Sequence, residues 1–402
     1  MVWRIPSRAR FFASIGLLGW AAASVAQDTV LCRAGNGTFS GEFAGGRDKV
    51  SVHVGATKVA GLSTRSCEAT ITWKDQQIAI ESGVWLLDLD TLGADLGMDS
   101  PVATFQVKRS ESECCATYLI YSLQSPPRLM RTLTGGSSFR ASDTDLDSRV
   151  EIWTDDARVA DGLDGISVSE LDFAPPIVLR FEHGRLFDAS SEFQLYYDGL
   201  IAKQKGRLDT GDLKEFKSSN GKLDVGSMAS AERGYRLRKA KIGILEIVWA
   251  YLYSGREREA WSTLADLWPV GDVDRIRRAI AQVRERGVHS QVQADTPPSR
   301  HKKHATIYDV TMTEGDESEV ASPRPIQVWR PAPDPGQILP PGERVLTLVI
   351  DSAGKVRSVT LGNSAQSDAD LLNATMAWKF TPALRGGHAV ASRTHLAVSL
   401  RK

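Results

Sequence analysis

The sequence predicts a multidomain α+β protein with a β-rich first half, a short helical segment, a proline-rich linker and a small ββαβ tail. Three observations support this class. Short apolar runs separated by Gly, Asp, Ser and Pro fill the first half, helical spacing begins at about residue 227, and strand-like alternation returns after a proline-rich stretch. With 402 residues, the chain is also longer than one hydrophobic core usually serves.

The amino-acid composition argues against several classes of protein. The 49 basic and 49 acidic side chains cancel, which removes the main electrostatic reason to expect a nucleic-acid-binding protein. Hydrophobic residues make up 42% of the chain, too few for an integral membrane bundle and too many for a disordered protein. The function is therefore expected to reside in local features.

Residues 1–26 have the layout of a secretory signal peptide. Arg4, Arg8 and Arg10 precede an apolar run that starts at Phe11, and small residues end the segment at Ala26. The run is shorter than the roughly 20 residues that usually span a bilayer, so we expect cleavage after Ala26 and an exported mature chain. An uncleaved membrane anchor is the alternative.

Residues 27–225 are predicted to form a β-rich domain. The apolar runs there are brief and rich in β-branched and aromatic residues, as strands are. Examples of these runs are 49–54, 69–73, 77–80, 102–107, 117–123, 150–153 and 177–181.

All the cysteines lie in this first half, at Cys32, Cys67, Cys114 and Cys115. An even number of cysteines in an exported protein indicates disulfides. On a strand, the adjacent Cys114 and Cys115 would face opposite sides, which favours pairing each of them with Cys32 or Cys67 over a vicinal bridge. We expect structural disulfides rather than a redox centre.

Residues 227–289 are predicted to be helical. Apolar residues recur at helical spacing in 232–249, 257–267 and 273–286, which gives an αα-hairpin and a further helix, with Trp249, Trp261 and Trp268 as packing residues. The pattern is similar to a tetratricopeptide-like pair, and it fits either a structural spacer or a peptide-binding groove. Residues 290–338 follow as a linker, because nine of the 17 prolines fall between Pro297 and Pro341.

An acidic segment is the sharpest candidate for a metal site. Carboxylates stand at positions 1, 3, 5 and 9 of Asp143-Thr-Asp145-Leu-Asp147-Ser-Arg149-Val-Glu151, and the carbonyl of Arg149 adds a backbone oxygen. Alternate oxygens on a tight loop suit Ca²⁺. The spacing resembles the calcium loop of FG-GAP or VCBS repeats, which implies a structural calcium ion; a solvated acidic turn is the alternative.

Catalytic motifs are absent from the sequence. There is no GxSxG, HExxH or Walker A pattern, and no GxGxxG follows a strand. We therefore predict that the protein is not an enzyme. A hydrolase built from carboxylates of the β-rich domain is the least favoured reading.

Residues 339–402 are predicted to form a ββαβ domain. Residues 344–350 alternate like a strand, Asp351-Ser-Ala-Gly354 turns, and 356–361 returns before a helix. Trp378 and Phe380 would close its core. A last strand comprises His395, Leu396, Ala397, Val398, Ser399 and Leu400.

These residues resemble the TonB C-terminal domain. The pattern of that family, Asp-x-x-Gly-x-Val and then Trp-Lys/Arg-Phe-x-Pro-Ala, appears here as Asp351-Ser-Ala-Gly-Lys-Val356 and Trp378-Lys-Phe-Thr-Pro-Ala383. The resemblance implies a periplasmic interaction domain that binds an outer-membrane transporter, or another envelope protein, by strand addition. The predicted binding edge is His395–Leu400. If the N-terminus stays uncleaved, the resemblance also implies an inner-membrane motor as partner and a role as energy transducer in transport across the outer membrane.

Overall fold

The computed structural model describes residues 32–33, 39–43, 49–58, 65–223, 231–292, 306–310, 320–327, 342–361 and 369–400. The predicted signal peptide, 1–26, lies outside these residues. The described chain mixes helices with several separate sheets, so the predicted α+β class is confirmed at that level.

The first part, which we call the β-rich unit (residues 32–188), contains three antiparallel sheets. Their strand orders are β1-β6-β7-β8-β9, β2-β3-β4-β5 and β10-β11-β12-β13. Each of the predicted runs overlaps a strand. The strands are β1 (Cys32–Arg33), β2 (Phe39–Phe43), β3 (Val50–Lys58), β4 (Arg65–Trp73), β5 (Gln76–Val84), β6 (Leu86–Asp95), β7 (Pro101–Lys108), β8 (Thr117–Ser122), β9 (Arg128–Thr134), β10 (Phe139–Ser142), β11 (Glu151–Asp155), β12 (Pro176–Glu182) and β13 (Arg185–Asp188).

Side chains that alternate along the strands of the β-rich unit face two different hydrophobic cores. Val52, Ile71, Leu89 and Phe105 meet in one core shared by the first two sheets. A second core joins the opposite faces of β7 and β8 to the third sheet and to the helices. The first sheet therefore has both of its faces covered over much of its area, which explains the wholly buried pattern of β8.

Helices occupy residues 157–284. They are α1 (Ala157–Ala160), α2 (Gln194–Lys205), α3 (Thr210–Lys217), α4 (Ala231–Tyr253), α5 (Glu257–Leu267) and α6 (Val273–Arg284). The last three coincide with the predicted helices. Two further helices, α2 and α3, lie inside the range 27–225 that was predicted to be β-rich. Asp209 caps α3 by accepting hydrogen bonds from the backbone N–H groups of Gly211 and Asp212, 2.8 and 2.9 Å away.

The helices share one core with the β-rich unit. Trp249 and Trp268 are fully buried, and the same cluster includes Tyr118 and Phe139 of the β-rich unit. Trp261 is only partly buried, with the guanidinium of Arg277 over its ring. The helical segment is therefore packed into the same core as the β-rich unit.

Parts of the predicted linker, 290–338, belong to the sheets of the C-terminal part. β14 (Tyr308–Val310), β15 (Val320–Ala321) and β16 (Arg324–Gln327) pair with strands between residues 379 and 394. In these parts the prediction of a spacer is wrong. Proline does not prevent pairing there, because β16 lies at an edge and its register shifts next to Pro325.

We call residues 342–400 the tail. It contains β17 (Gly342–Ile350), β18 (Val356–Leu361), α7 (Ala369–Thr375), β19 (Lys379–Thr381), β20 (Ala383–Arg385), β21 (His388–Val390) and β22 (Ser392–Leu400). The main sheet has the order β14-β22-β17-β18. Trp378 and Phe380 are buried in a small core against Leu348 and Val398.

Candidate functional site

The tail is joined to the β-rich unit by two buried ion pairs on β6. Leu87 and Leu89 of this strand face the first core, so alternation turns Asp88 and Asp90 to the opposite face. Lys379 Nζ lies 2.7 Å from Asp88 Oδ2, and Lys355 Nζ lies 2.5 Å from Asp90 Oδ1. All four side chains are at most 4% exposed.

Both lysines of the tail lie within the two motif segments, residues 351–356 and 378–383. Lys379 stands between Trp378 and Phe380, and because those two rings enter the tail core, the lysine points to the other face of β19. Lys355 follows the Asp351–Gly354 turn. Gly354 has φ +80° and its backbone carbonyl accepts a hydrogen bond from the Phe380 N–H at 2.9 Å. A Cβ there would lie 1.8 Å from the Phe380 carbonyl oxygen, so the turn requires glycine.

Further hydrogen bonds hold the acids of β6. Tyr118 Oη and the Ala141 N–H donate to Asp90 Oδ2 at 2.7 and 2.8 Å, and Gln106 Nε2 donates to Asp88 Oδ2 at 3.2 Å. Burial acts to raise the pKa of Asp90, but the ammonium groups of Lys355 and Lys379 outweigh it and hold that pKa below its usual range. Asp90 is therefore charged at neutral pH.

The predicted acidic loop lies beside this junction, between β10 and β11. Carboxylate oxygens of Asp143, Asp145 and Asp147 lie within 4.8 Å of one another. Of the other predicted ligands, Arg149 donates from Nε to Asp147 Oδ2 at 2.6 Å. Glu151 Oε2 accepts a hydrogen bond from the Thr144 N–H at 3.0 Å. Three of the five predicted ligands thus lie close together. The other two, Arg149 and Glu151, form hydrogen bonds within the loop.

The acidic loop and the turn of the tail hold each other through reciprocal hydrogen bonds. Asp351 Oδ2 accepts from Ser142 Oγ at 2.9 Å and from the Asp143 N–H at 3.0 Å. In return, Ser352 Oγ donates to Asp143 Oδ2 at 2.9 Å. Arg357 adds a contact from Nη2 to the Thr144 carbonyl at 3.0 Å. Sequence reasoning found the loop but missed its contact with the tail.

Burial perturbs the acids of this loop. Burial, and then the charge of Asp351, raise the pKa of Asp143 to about 7. Burial raises the pKa of Glu151 to about 8, with Asp145 and Asp143 adding to the shift. Loss of water around several carboxylates at once is unfavourable for their charged forms. At neutral pH these two carboxyl groups therefore hold protons more readily than exposed ones do, and a bound cation would favour their charged forms.

The cysteines pair differently from the prediction. The disulfides are Cys32–Cys67 and Cys114–Cys115, so the expected pairing of each adjacent cysteine with Cys32 or Cys67 is wrong. The expectation assumed that Cys114 and Cys115 lie on a strand, but they lie in the irregular connection between β7 and β8. Cys32 and Cys67 are buried in the first core, where they link β1 to β4.

The predicted binding strand, His395–Leu400, is part of β22. On one side, β22 pairs with β17 along its whole length, from Ser392 opposite Ile350 to Leu400 opposite Gly342. On the other side, β14 pairs with Ser392–Thr394 alone. Within the part of the chain that the structure describes, residues 395–400 therefore have no strand partner on that outer side.

The comparisons with known proteins gave no match. No family model, no curated protein and no solved structure matches the chain. Among the helices that the structure describes, none has the length and apolarity needed to cross a membrane.

Proposed function

We propose that the protein is an exported adaptor of the cell envelope that binds an outer-membrane transporter, or another envelope protein, through the tail. The resemblance of residues 351–356 and 378–383 to the TonB C-terminal domain supports this proposal. The partner would supply a strand that pairs with residues 395–400 of β22.

The observation that carries the proposal is the outer side of β22, where residues 395–400 have no strand partner among the described residues. A strand edge with unpaired backbone groups binds an extended peptide by continuing the hydrogen-bond ladder. An incoming strand would occupy the same side of β22 as β14 and continue beyond Val310. The side chains of His395 and Ala397 are exposed on one face, while Val398 is buried in the tail core on the other.

The residues through which the tail docks on the β-rich unit are not those of the proposed binding edge on β22. Among the described residues, hydrogen bonds between the tail and the β-rich unit involve Asp351, Ser352, Ala353, Lys355, Arg357 and Lys379. These residues lie on the turn after β17, on β18 and on β19. Partner binding at β22 and docking on the β-rich unit are therefore compatible with each other.

Site-specific photocrosslinking in cells tests the proposed edge. A photoreactive residue at Ala397 should give a covalent adduct with an outer-membrane transporter. The matched control is Ser358, an exposed residue of β18 at the opposite edge of the same sheet, which should give no such adduct. Equal adducts from both positions, or none from Ala397, would contradict strand addition at β22.

A second candidate function is an exported binding protein whose tail serves only its own β-rich unit. The buried Lys355–Asp90 and Lys379–Asp88 pairs favour this candidate, because they occupy motif residues of the tail within the chain itself. It predicts that Ala397 gives no adduct with a transporter. The same crosslinking experiment therefore separates the two candidates.

The cellular location follows from the fate of residues 1–26. We expect the mature protein to start at Gln27 and to appear in the soluble periplasmic fraction, since the apolar run is short and ends in small residues. N-terminal sequencing of protein from fractionated cells measures this. An intact, membrane-bound chain would contradict export with cleavage and would favour the energy-transducer alternative.

A further inference from the structure

The junction between the acidic loop and the tail buries four carboxylates within a few residues of one another in space. Asp143, Asp147, Glu151 and Asp351 are each at most 2% exposed. Arg149 forms an ion pair with Asp147. Among the described residues, no ion pair involves Asp143 or Glu151. A buried carboxylate without a compensating charge is costly, so Asp143 in particular favours an additional cation.

Asp143 provides an independent indication of where that cation would bind. Its Oδ2 accepts hydrogen bonds from the Ser148 N–H at 3.0 Å and from Ser352 Oγ at 2.9 Å. Its Oδ1 is buried and accepts none within the described chain. Buried polar atoms nearly always have a partner, and a metal ion is one partner that a carboxylate oxygen in an acidic loop can have.

The spacing of the three aspartates suits one divalent ion. Oxygens that bind the same Ca²⁺ at about 2.3–2.6 Å lie at most about 5 Å apart. The carboxylate oxygens of Asp143, Asp145 and Asp147 meet this limit, at 4.8 Å or less. Asp145 is exposed and gives the ion a route from solvent.

We infer that Asp143, Asp145 and Asp147 bind a divalent cation, calcium in view of their all-oxygen donor set, and that this ion fastens the tail to the β-rich unit. The connection is Asp143 itself. One of its oxygens completes the ion site, the other accepts the Ser352 hydroxyl of the tail, and its N–H donates to Asp351. An ion that fixes this carboxylate also fixes the acceptor that the tail uses.

Linkage makes the coupling reciprocal. A ligand that binds the docked form more tightly than the undocked form shifts the equilibrium toward docking, and docking raises the affinity for the ligand by the same factor. This inference does not depend on strand addition at β22. Its failure would leave the crosslinking result at Ala397 unaffected, so the two proposals are tested separately.

Calcium binding is measured first, on the full metal-stripped chain. Titration calorimetry with CaCl₂ should show one site, and Asp145→Asn should weaken binding at least ten-fold. Asp145 is exposed, so the variant is expected to fold. Asp266→Asn, at an exposed position of α5, is the matched control and should bind as the parent does. Absence of binding by the parent, or undiminished binding by Asp145→Asn, would overturn the site.

Tail docking is then measured by hydrogen–deuterium exchange. Calcium should slow exchange in peptides covering residues 86–95 of β6 and 351–361 of the tail, and Asp145→Asn should lose this protection. In Ser352→Ala, which keeps all three aspartates, the protection of the tail should fall and calcium should bind a few-fold more weakly. Calcium binding that leaves exchange in both peptides unchanged would overturn the coupling.

Discussion

Lys355→Met should lower the free energy of unfolding by about 3–5 kcal/mol, the range found when one partner of a buried ion pair is removed. The variant leaves Asp90 charged and buried, with Tyr118 and the Ala141 N–H as its remaining partners. Methionine keeps the approximate length of the side chain, so the loss reports the missing ammonium group. Urea unfolding followed by tryptophan fluorescence measures it.

Two further variants give this experiment its controls. Lys49→Met removes an exposed pair with Glu42 and should cost less than about 1 kcal/mol. Adding Asp90→Asn to Lys355→Met should restore part of the loss, because the amide oxygen still accepts from Tyr118 while the buried charge is gone. A cost at Lys355 no larger than that at Lys49 would show that the tail is not docked through this pair.

Trp378→Ala should destabilise the tail by about 3–5 kcal/mol, as large-to-small changes of buried aromatic residues do. Trp378 is 1% exposed and shares its core with Leu346, Leu348, Leu371 and Phe380. This core is small, so few neighbouring side chains are available to fill the space. Thermal unfolding of the full chain, together with hydrogen exchange of residues 342–361, measures the loss.

Met376→Ala is the matched control for this change. Met376 lies two residues before Trp378 and is 39% exposed, so its removal should change the free energy of unfolding by no more than about 0.5 kcal/mol. If Trp378→Ala leaves the exchange of residues 342–361 as slow as Met376→Ala does, the tail core does not depend on this ring.

Regular elements with strong local patterns could be predicted from the sequence. The helix over 257–267 coincides with the observed α5, and the return strand over 356–361 coincides with β18. Both depend on periodicity, which is a property of neighbouring residues. The helices α2 and α3 were not predicted, because both are short and follow a long series of strands.

The disulfide pairing could not be predicted, since it depends on the local backbone and on distant strands. Strand geometry would have placed Cys114 and Cys115 on opposite faces, but the connection between β7 and β8 is irregular at these residues. The bond between Cys32 and Cys67 requires β1 and β4 to lie close together. No local pattern records that proximity.

The docking site on β6 was missed for a similar reason. Leu-Leu-Asp-Leu-Asp, residues 86–90, alternates apolar and acidic side chains, a pattern typical of a strand with one face in water. The tail covers that face instead, and its lysines are 265 and 291 residues away along the chain.

That separation along the chain constrains the order in which the molecule assembles during synthesis. Both acids leave the ribosome long before their partners. Lys355 follows Asp90 by 265 residues, and Lys379 follows Asp88 by 291 residues. Until the lysines arrive, this face of β6 must stay hydrated, because burying the acids alone is unfavourable. In the nascent β-rich unit, Asp88 and Asp90 therefore stay exposed to water. This face of β6 is buried only after the tail has been translated and folded.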